Sequence, residues 1–225
     1  MEQEMDKGAG LTARQKQLLD LAIREQYFVE TFYLSGGTAL SYWYLHHRQS
    51  DDLDFFSLTP FRYERIVRWF GENKGKIGHS EARFEEDYGF LMVNLRYPDR
   101  AFLKIDFHHY SNTKLAPTTN WNGLEIDSLM DIAVNKIRTI ATIPRTRDYI
   151  DLYHILKRKP WTIESLIEKS AKKFQEHIDL LQMAKNFLKV SEYTDFPKML
   201  IPFDETDMQG FYERSAGRLR SKILK

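Results

Sequence analysis

The stretch from residue 32 to residue 58, FYLSGGTALSYWYLHHRQSDDLDFFSL, most restricts what this chain can fold into. Its first part is typical of a short strand that ends in a glycine turn, and TALSYWYLHH is compatible with a helix. DLDFFSL has the aromatic residues and the alternating side-chain directions of a strand. This succession predicts that the N-terminal half of the chain mixes strands with helices.

The neighbouring segments extend this pattern. Residues 11–28 have apolar side chains at helical spacing, with Thr12 as the N-cap, and a second amphipathic helix is predicted to start at Pro60 and end near Gly71 and Asn73. Three strand-like segments follow, separated by the turn-prone sequences Asp-Tyr-Gly and Pro-Asp-Arg. We therefore expect a mixed or mostly antiparallel sheet.

The character of the sequence changes after the loop that ends near residue 123. From Ser128 to Leu188 the pattern is helical, with breaks predicted near Pro144 and Pro160. We predict an α+β fold in which an α/β domain of residues 1–124, a mixed sheet flanked by helices, is followed by a mainly helical domain of residues 125–225 that completes a cleft. Residues 190–225 combine proline, glycine and aromatic residues and indicate no definite structure.

Composition excludes some classes of protein. The 33 Lys and Arg residues nearly balance 32 Asp and Glu residues, so the net charge gives no general reason to bind a polyanion. The chain has no cysteine, which excludes disulfides and zinc–thiolate sites. It has neither an apolar leader nor an apolar run of the roughly 20 residues that cross a bilayer. We expect a cytoplasmic protein without a membrane partner.

The chemistry of the opening stretch lies in a pair of carboxylates and a glycine turn. Asp52 and Asp54 point to the same face of a strand at a spacing of roughly 7 Å, which suits a divalent cation such as Mg²⁺. Upstream, Gly36 and Gly37 enter a helix, where backbone N–H groups and a hydroxyl of Ser35 or Thr38 can hold an anion. Together they suit a metal-bound nucleoside triphosphate.

Simpler interpretations compete with this one. An isolated D-x-D is common on solvated surfaces, and an isolated glycine pair is usually a turn; what favours a site is their order and the apolar LDFF context. The histidine pairs at 46–47 and 108–109 suggest zinc only weakly, because neighbouring strand residues point apart. The aromatic cluster SYWYLHH is better explained as core, and the basic segment 214–225 as a solvated helix that could also contact RNA.

GGTAL followed by HRQSDDLDFF resembles the signature of the AbiEii/AbiGii toxin family, a branch of the DNA polymerase β-like nucleotidyltransferases. That superfamily usually has a glycine-serine pair before its D-x-D; here a threonine follows the second glycine. A later block, LMDIAVNKIRTIATIPRTRDYIDLYHIL, is similar to a helical motif of the family. The matching positions are Gly36, Gly37, Thr38, His47, Arg48, Ser50, Asp52 and Asp54 in the first block, and Lys136, Asp148 and Asp151 in the second.

The resemblance implies roles for these residues. Asp52, Asp54 and a third carboxylate, Asp106 of LKIDFHH, would be catalytic ligands of Mg²⁺ or Mn²⁺, and Lys136 would bind the triphosphate. Asp106, Asp148 and Asp151 are alternatives for the base that activates the acceptor hydroxyl. The nucleotide-binding set would be Gly36, Gly37, Thr38, Arg48, Ser50 and Lys136. Arg145, Arg147 and Asp148 could equally form a surface ion-pair network.

The resemblance also implies an activity, the transfer of a nucleoside monophosphate from an NTP to a hydroxyl acceptor with release of pyrophosphate. The expected role is the toxin of a bacterial type IV toxin–antitoxin or phage-defence pair, with tRNA or another RNA as acceptor and a cognate antitoxin encoded nearby. Two alternatives remain open. One is the same chemistry on a small molecule such as an antibiotic; the other is an inactive nucleotide- or partner-binding module.

Overall fold

The computed structural model describes residues 10–223, and within them the strands form one seven-stranded mixed sheet in the order β3-β4-β5-β2-β1-β7-β6. The first nine residues, which the expected absence of a leader concerns, and the last two residues of the basic segment lie outside the described residues. The strands are β1 Tyr33–Ser35, β2 Asp52–Ser57, β3 Glu81–Asp87, β4 Phe90–Arg96, β5 Phe102–His109, β6 Thr119–Trp121 and β7 Leu124–Ile126.

Helices flank the sheet and form the C-terminal part of the chain. They are α1 Ala13–Ala22, α2 Gln26–Thr31, α3 Gly36–Ala39, which continues into a π-helical segment Leu40–Leu45, α4 Tyr63–Glu72, α5 Lys74–Ile77, α6 Leu129–Thr142, α7 Thr146–Arg158, α8 Ile163–Phe174, α9 Leu180–Leu188 and α10 Glu205–Ile223. Mixed sheet and helices confirm the predicted α+β class. Between residues 10 and 223 no helix is long and apolar enough to cross a membrane.

At the N-terminus one local prediction is confirmed and one is corrected. Thr12 caps α1 in a capping box with Gln15, as the spacing predicts. The single helix predicted over residues 11–28 is instead two helices, because Arg24 and Glu25 donate to carbonyls only three residues earlier and the backbone of Glu25 is extended. This turn carries Phe28 onto the sheet, where it packs on Phe55 and Phe107.

The two faces of β2 have different surroundings: one is buried in the core and the other is only partly buried. Leu53 and Phe55 are fully buried, and Phe55 stacks on Phe107 of β5 with ring centroids 5.1 Å apart. The aromatic cluster around them fills the core on that side of the sheet. Asp52, Asp54 and Phe56 alternate with these residues and are only partly buried. The predicted common orientation of the two carboxylates is therefore confirmed, and it results from the two-residue period of the strand.

Two segments with no definite sequence signal extend the sheet and brace it. β7 pairs in parallel with β1, so the sheet continues to Ile126, just beyond the predicted domain boundary at 124; the division into two domains itself stays a prediction. Near the C-terminus, Met199 forms an antiparallel bridge with Arg48, and Leu200 N–H donates to the His47 carbonyl at 2.9 Å. The segment after α9 thus supports the chain just before the acidic pair.

Candidate active site

The acidic residues of two neighbouring strands meet on one face of the sheet. β2 and β5 pair in parallel with Asp54 opposite Asp106 and Asp52 opposite Lys104. One ligand atom each of Asp54, Asp106 and His108 lies within 4.8 Å of the others. The structure therefore places the third predicted carboxylate, Asp106, beside the pair found from the D-x-D spacing.

Asp106 has one oxygen engaged and one free. Its Oδ2 lies 2.5 Å from Lys104 Nζ. Its Oδ1 is buried and has no hydrogen-bond partner among residues 10–223. An unpaired buried carboxylate oxygen is costly, and a bound cation or hydroxyl would relieve that cost.

The pKa of Asp54 is shifted by burial and by the neighbouring carboxylates. Burial, followed by the charges of Asp106 and Asp52, raises the pKa of Asp54 to about 6. A cation near these three carboxylates would offset that repulsion and lower the pKa of Asp54 again. Asp52 lies at the open side, where Arg147 Nη1 is 3.3 Å from its Oδ2.

The glycine pair makes a turn and also lets side chains from other segments lie against its backbone. Gly36 has φ +73°, and a Cβ built on it would lie 2.1 Å from Asp54 Oδ2. A Cβ on Gly37 would lie 2.5 Å from Arg48 Nη2 and 2.8 Å from Ser50 Oγ. Both glycines are therefore needed to seat the carboxylate and the guanidinium against the turn.

The hydroxyls near this turn are used inside the protein. Ser35 Oγ donates to Asp127 Oδ2 at 2.7 Å, and both side chains are almost fully buried. The Thr38 hydroxyl donates to the Asp52 carbonyl, and Thr38 is fully buried outside the cleft. A contact between Thr38 and a nucleotide stays a prediction. Because the hydroxyl is already engaged, such a contact would have to use the backbone N–H of Thr38. The hydroxyl of Thr38 instead fixes the backbone at Asp52.

A buried charge network joins the two blocks of the sequence resemblance. Arg48 donates to Asp151 through Nε and Nη2 at 2.6 and 2.8 Å, and His47 Nε2 lies 2.8 Å from Asp151 Oδ1. Lys136 Nζ lies 2.6 Å from Asp151 Oδ2 and 2.7 Å from Asp148 Oδ1. Burial alone would raise the pKa of Asp151, but Arg48 and Lys136 outweigh it and hold that pKa well below its usual range.

Asp148 belongs to the same network but faces the cleft. Its second oxygen accepts from Arg145 Nε at 3.0 Å. Burial would raise the pKa of Asp148, whereas Lys136 and Arg145 outweigh it and lower the pKa. Asp151, in contrast, is fully buried and does not line the cleft.

These groups surround one cleft of about 260 Å³. Two of the predicted site residues, Thr38 and the alternative base Asp151, lie outside this cleft. The others line it, namely Ser35, Gly36, Gly37, Arg48, Ser50, Asp52, Asp54, Asp106, Lys136 and Asp148. The cleft also contains residues for which the sequence predicts no role in the site, namely Phe56, Lys104, His108, Ile132, Asn135 and Thr139. Arg145 and Arg147, for which a surface ion-pair network was the alternative, line it as well. One sequence signal could have identified His108, because it lies two residues after Asp106 on the same strand face.

Comparison with known proteins identifies the family. The family model described as "Nucleotidyl transferase AbiEii toxin, Type IV TA system" matches residues 17–215. An uncharacterized protein of Aquifex aeolicus is 29% identical over 168 residues, which cover 70% of this chain and 72% of that protein.

Two solved structures share the fold. A putative nucleotidyltransferase from H. pylori superposes with a TM-score of 0.59 at 18% identity and covers 95% of this chain and 98% of that one. MenT4, a nucleotidyltransferase toxin from Mycobacterium tuberculosis, gives a TM-score of 0.56 at 13% identity, with coverage of 93% and 86%. At these identities the two structures support the fold, and the family match over most of the chain carries the assignment. This protein belongs to the AbiEii toxin family and is a nucleotidyltransferase.

Proposed function

We propose that this enzyme transfers a nucleoside monophosphate from an NTP to a hydroxyl acceptor, releases pyrophosphate, and uses a divalent cation held by Asp52, Asp54 and Asp106. The observation that carries the proposal is the pairing of Asp54 with Asp106 in the β2–β5 register, beside Asp52 in one cleft. Phosphoryl transfer of this kind depends mainly on positioning and on neutralising charge.

The residues present fit Mg²⁺ or Mn²⁺. The donor set is dominated by carboxylate oxygens, which hard cations prefer, and Asp106 Oδ1 is buried without a partner among residues 10–223. When bound, the cation would neutralise charge on the attacking and leaving oxygens.

Positive side chains of the cleft would bind the triphosphate. Among residues 10–223, five cationic side chains line the cleft beside four carboxylates: Arg48, Lys104, Lys136, Arg145 and Arg147. The side chains of Arg145 and Arg147 are 54% and 36% exposed, so they can contact a phosphate while they remain beside Asp148 and Asp52. Lys136 is held by Asp148 and Asp151, so its ammonium would meet the phosphates at a fixed position.

Asp106 is the strongest candidate for the base that takes the proton of the acceptor hydroxyl. Asp151 is fully buried outside the cleft, and both oxygens of Asp148 already contact cations, which lowers its pKa and weakens it as a base. Asp106 lines the cleft, and its Oδ1 has no such partner within the described residues. Asp148 would then position Lys136 and Arg145.

The toxin family suggests the biological role. We infer that the protein arrests growth by modifying tRNA or another RNA, and that a cognate antitoxin encoded nearby restrains it. Support for the toxin role comes from the family match. The RNA acceptor rests on the resemblance of the two sequence blocks, and a small-molecule acceptor is the competing outcome of the test.

The test uses the purified full chain, Mg²⁺, each labelled NTP, and either total RNA or a panel of small hydroxylated compounds. We expect label in RNA with the wild type and none with Asp52→Ala. Asp99→Ala is a matched control, because Asp99 is an exposed carboxylate outside the cleft that pairs with Arg14 and accepts from the Ala101 N–H. If no acceptor is labelled, or if Asp52→Ala labels RNA as well as the wild type does, the proposal is wrong.

A further inference from the structure

Four aromatic side chains form a row across the sheet beside the carboxylates. Tyr33, Phe56, His108 and Phe90 come from the adjacent strands β1, β2, β5 and β4 and are aligned by strand register. Ring centroids are 5.8 Å apart for Tyr33–Phe56, 4.8 Å for Phe56–His108 and 4.9 Å for His108–Phe90. The row lies one same-face position beyond the level of Asp54 and Asp106.

Neighbouring rings of this row are stacked or tilted against one another. Phe56 and His108 are inclined by only 19°, and their 4.8 Å separation matches the spacing of neighbouring strands. The stacked rings of Phe56 and His108 cover part of each other's faces, which leaves ring edges available to the cleft that both residues line. Such a floor can accept a flat π-system in the edge-to-face geometry that aromatic groups favour.

The order of groups along β2 matches the order of parts in an NTP. The glycine turn and Ser50 lie at one end, Asp54 and Asp106 in the middle, and Phe56 with His108 at the other end of the cleft. Successive same-face positions of a strand are roughly 7 Å apart. With phosphates at the turn and the reacting phosphate at the carboxylates, the next position along the strand is where the nucleoside would lie.

The helix α6 also contributes to the lining of the cleft. Ile132, Asn135 and Thr139 lie on one helical face at spacings of three and four residues, and all three line the cleft. Asn135 Oδ1 is buried and finds no hydrogen-bond partner in the described part of the chain. The Thr139 hydroxyl is already used, because it donates to the Asn135 carbonyl at 3.0 Å. Asn135 is therefore the polar group of this helical face that still needs a donor.

We propose that the base of the incoming NTP lies between the ring edges of Phe56 and His108 and the side chain of Ile132, and that the Asn135 amide reads its hydrogen-bonding edge and selects the base. This inference rests on the proposed function. The Phe56–His108 floor tolerates any base, because every base has a π-face. Discrimination then falls to Asn135, whose amide both donates and accepts, and a base that leaves Asn135 Oδ1 unpaired is disfavoured.

Equilibrium binding tests this inference without knowledge of the acceptor. The affinities of ATP, GTP, CTP and UTP in Mg²⁺ are measured by calorimetry for the full-length wild type, Asn135→Ala, Asn135→Asp and Phe56→Leu. Arg138→Ala is the control on the same helix, because Arg138 pairs with Glu176 outside the cleft. Circular dichroism melts check that each variant is folded.

The expected pattern separates the two roles. The wild type should prefer one base by about tenfold or more, and Asn135→Ala should reduce that preference to about twofold, since it removes one hydrogen bond. Asn135→Asp, which loses the amide donor, should alter the ranking of the bases. Phe56→Leu should weaken all four NTPs by a similar factor of roughly ten, and Arg138→Ala should change nothing.

Distinct results would overturn the inference and the proposed function. An unchanged base preference in both Asn135 variants refutes the role of Asn135, and so does a wild type that binds all four NTPs equally. In both cases the proposed transferase activity stands. If the wild type binds no NTP at all, the proposed function fails together with the inference.

Discussion

The position of Gly36 makes Gly36→Ala the sharpest test of how the site is built. The backbone there has φ +73°, which costs an L-residue other than glycine about 1–2 kcal/mol. The added Cβ would also lie 2.1 Å from Asp54 Oδ2, whereas ordinary non-bonded contacts are about 3.5 Å. The carboxylate would have to move by about 1 Å or more to relieve this overlap.

The strained backbone and the displaced carboxylate affect two different measurements, the free energy of unfolding and the transfer rate. Gly36→Ala should lower the free energy of unfolding by about 1–2 kcal/mol, measured by urea denaturation, because of the strained backbone. It should lower the transfer rate by about a hundredfold or more, because displacing a catalytic group by about 1 Å costs that much.

Gly71→Ala provides the matched control. Gly71 lies in α4, where an added Cβ meets no atom within 4 Å. This variant should raise the free energy of unfolding by about 0.5–1 kcal/mol and leave the rate unchanged. If Gly36→Ala retained the wild-type rate, the close seating of Asp54 on the turn would not be a requirement of catalysis, and the reasoning above would fail.

Two further predictions concern buried carboxylates. Asp151→Ala leaves Arg48 buried without its bidentate partner, so the free energy of unfolding should fall by about 3–5 kcal/mol in urea denaturation; a loss below about 1 kcal/mol would show that the network contributes little. Burial raises the pKa of Asp127 from 3.8 to about 6, so the folded state binds this proton more tightly than the unfolded state. That stabilisation is fully present below about pH 4 and is lost as the pH rises through about 6, so Asp127→Asn should gain about 3 kcal/mol relative to the wild type between about pH 4 and pH 7. A parallel pH profile for the two proteins would contradict this.

Features of the site that depend on local periodicity were predictable from the sequence. Alternation within DLDFF predicts that Asp52 and Asp54 share a face, and the structure confirms it with Leu53 and Phe55 on the buried side. The resemblance implies Asp106 as the third carboxylate, and its place within an apolar strand agrees, because a carboxylate there needs a partner. The predicted helix breaks near Pro144 and Pro160 are likewise local, and α7 lies between them.

Features that depend on register between distant segments were not predictable. The pairing of Asp54 with Asp106 requires β5 to lie beside β2 in parallel, which no local pattern specifies. The same register aligns His108 with Phe56, so a histidine with a weak zinc signal becomes part of the cleft floor. The function of Gly37 is also non-local, because the atoms that exclude a Cβ belong to Arg48 and Ser50.

The buried network explains why two blocks about a hundred positions apart occur together. Asp151, from the second block, is the common partner of His47 and Arg48 in the first block and of Lys136 in its own. Arg48 Nη2 in turn occupies the space that a Cβ on Gly37 would need. A change at Asp151 therefore acts in both directions. It removes one of the two carboxylates that hold Lys136 on α6 and the bidentate partner of Arg48 beside the glycine turn. We therefore expect the two sides of the cleft to lose part of their alignment, although Asp151 itself does not line the cleft.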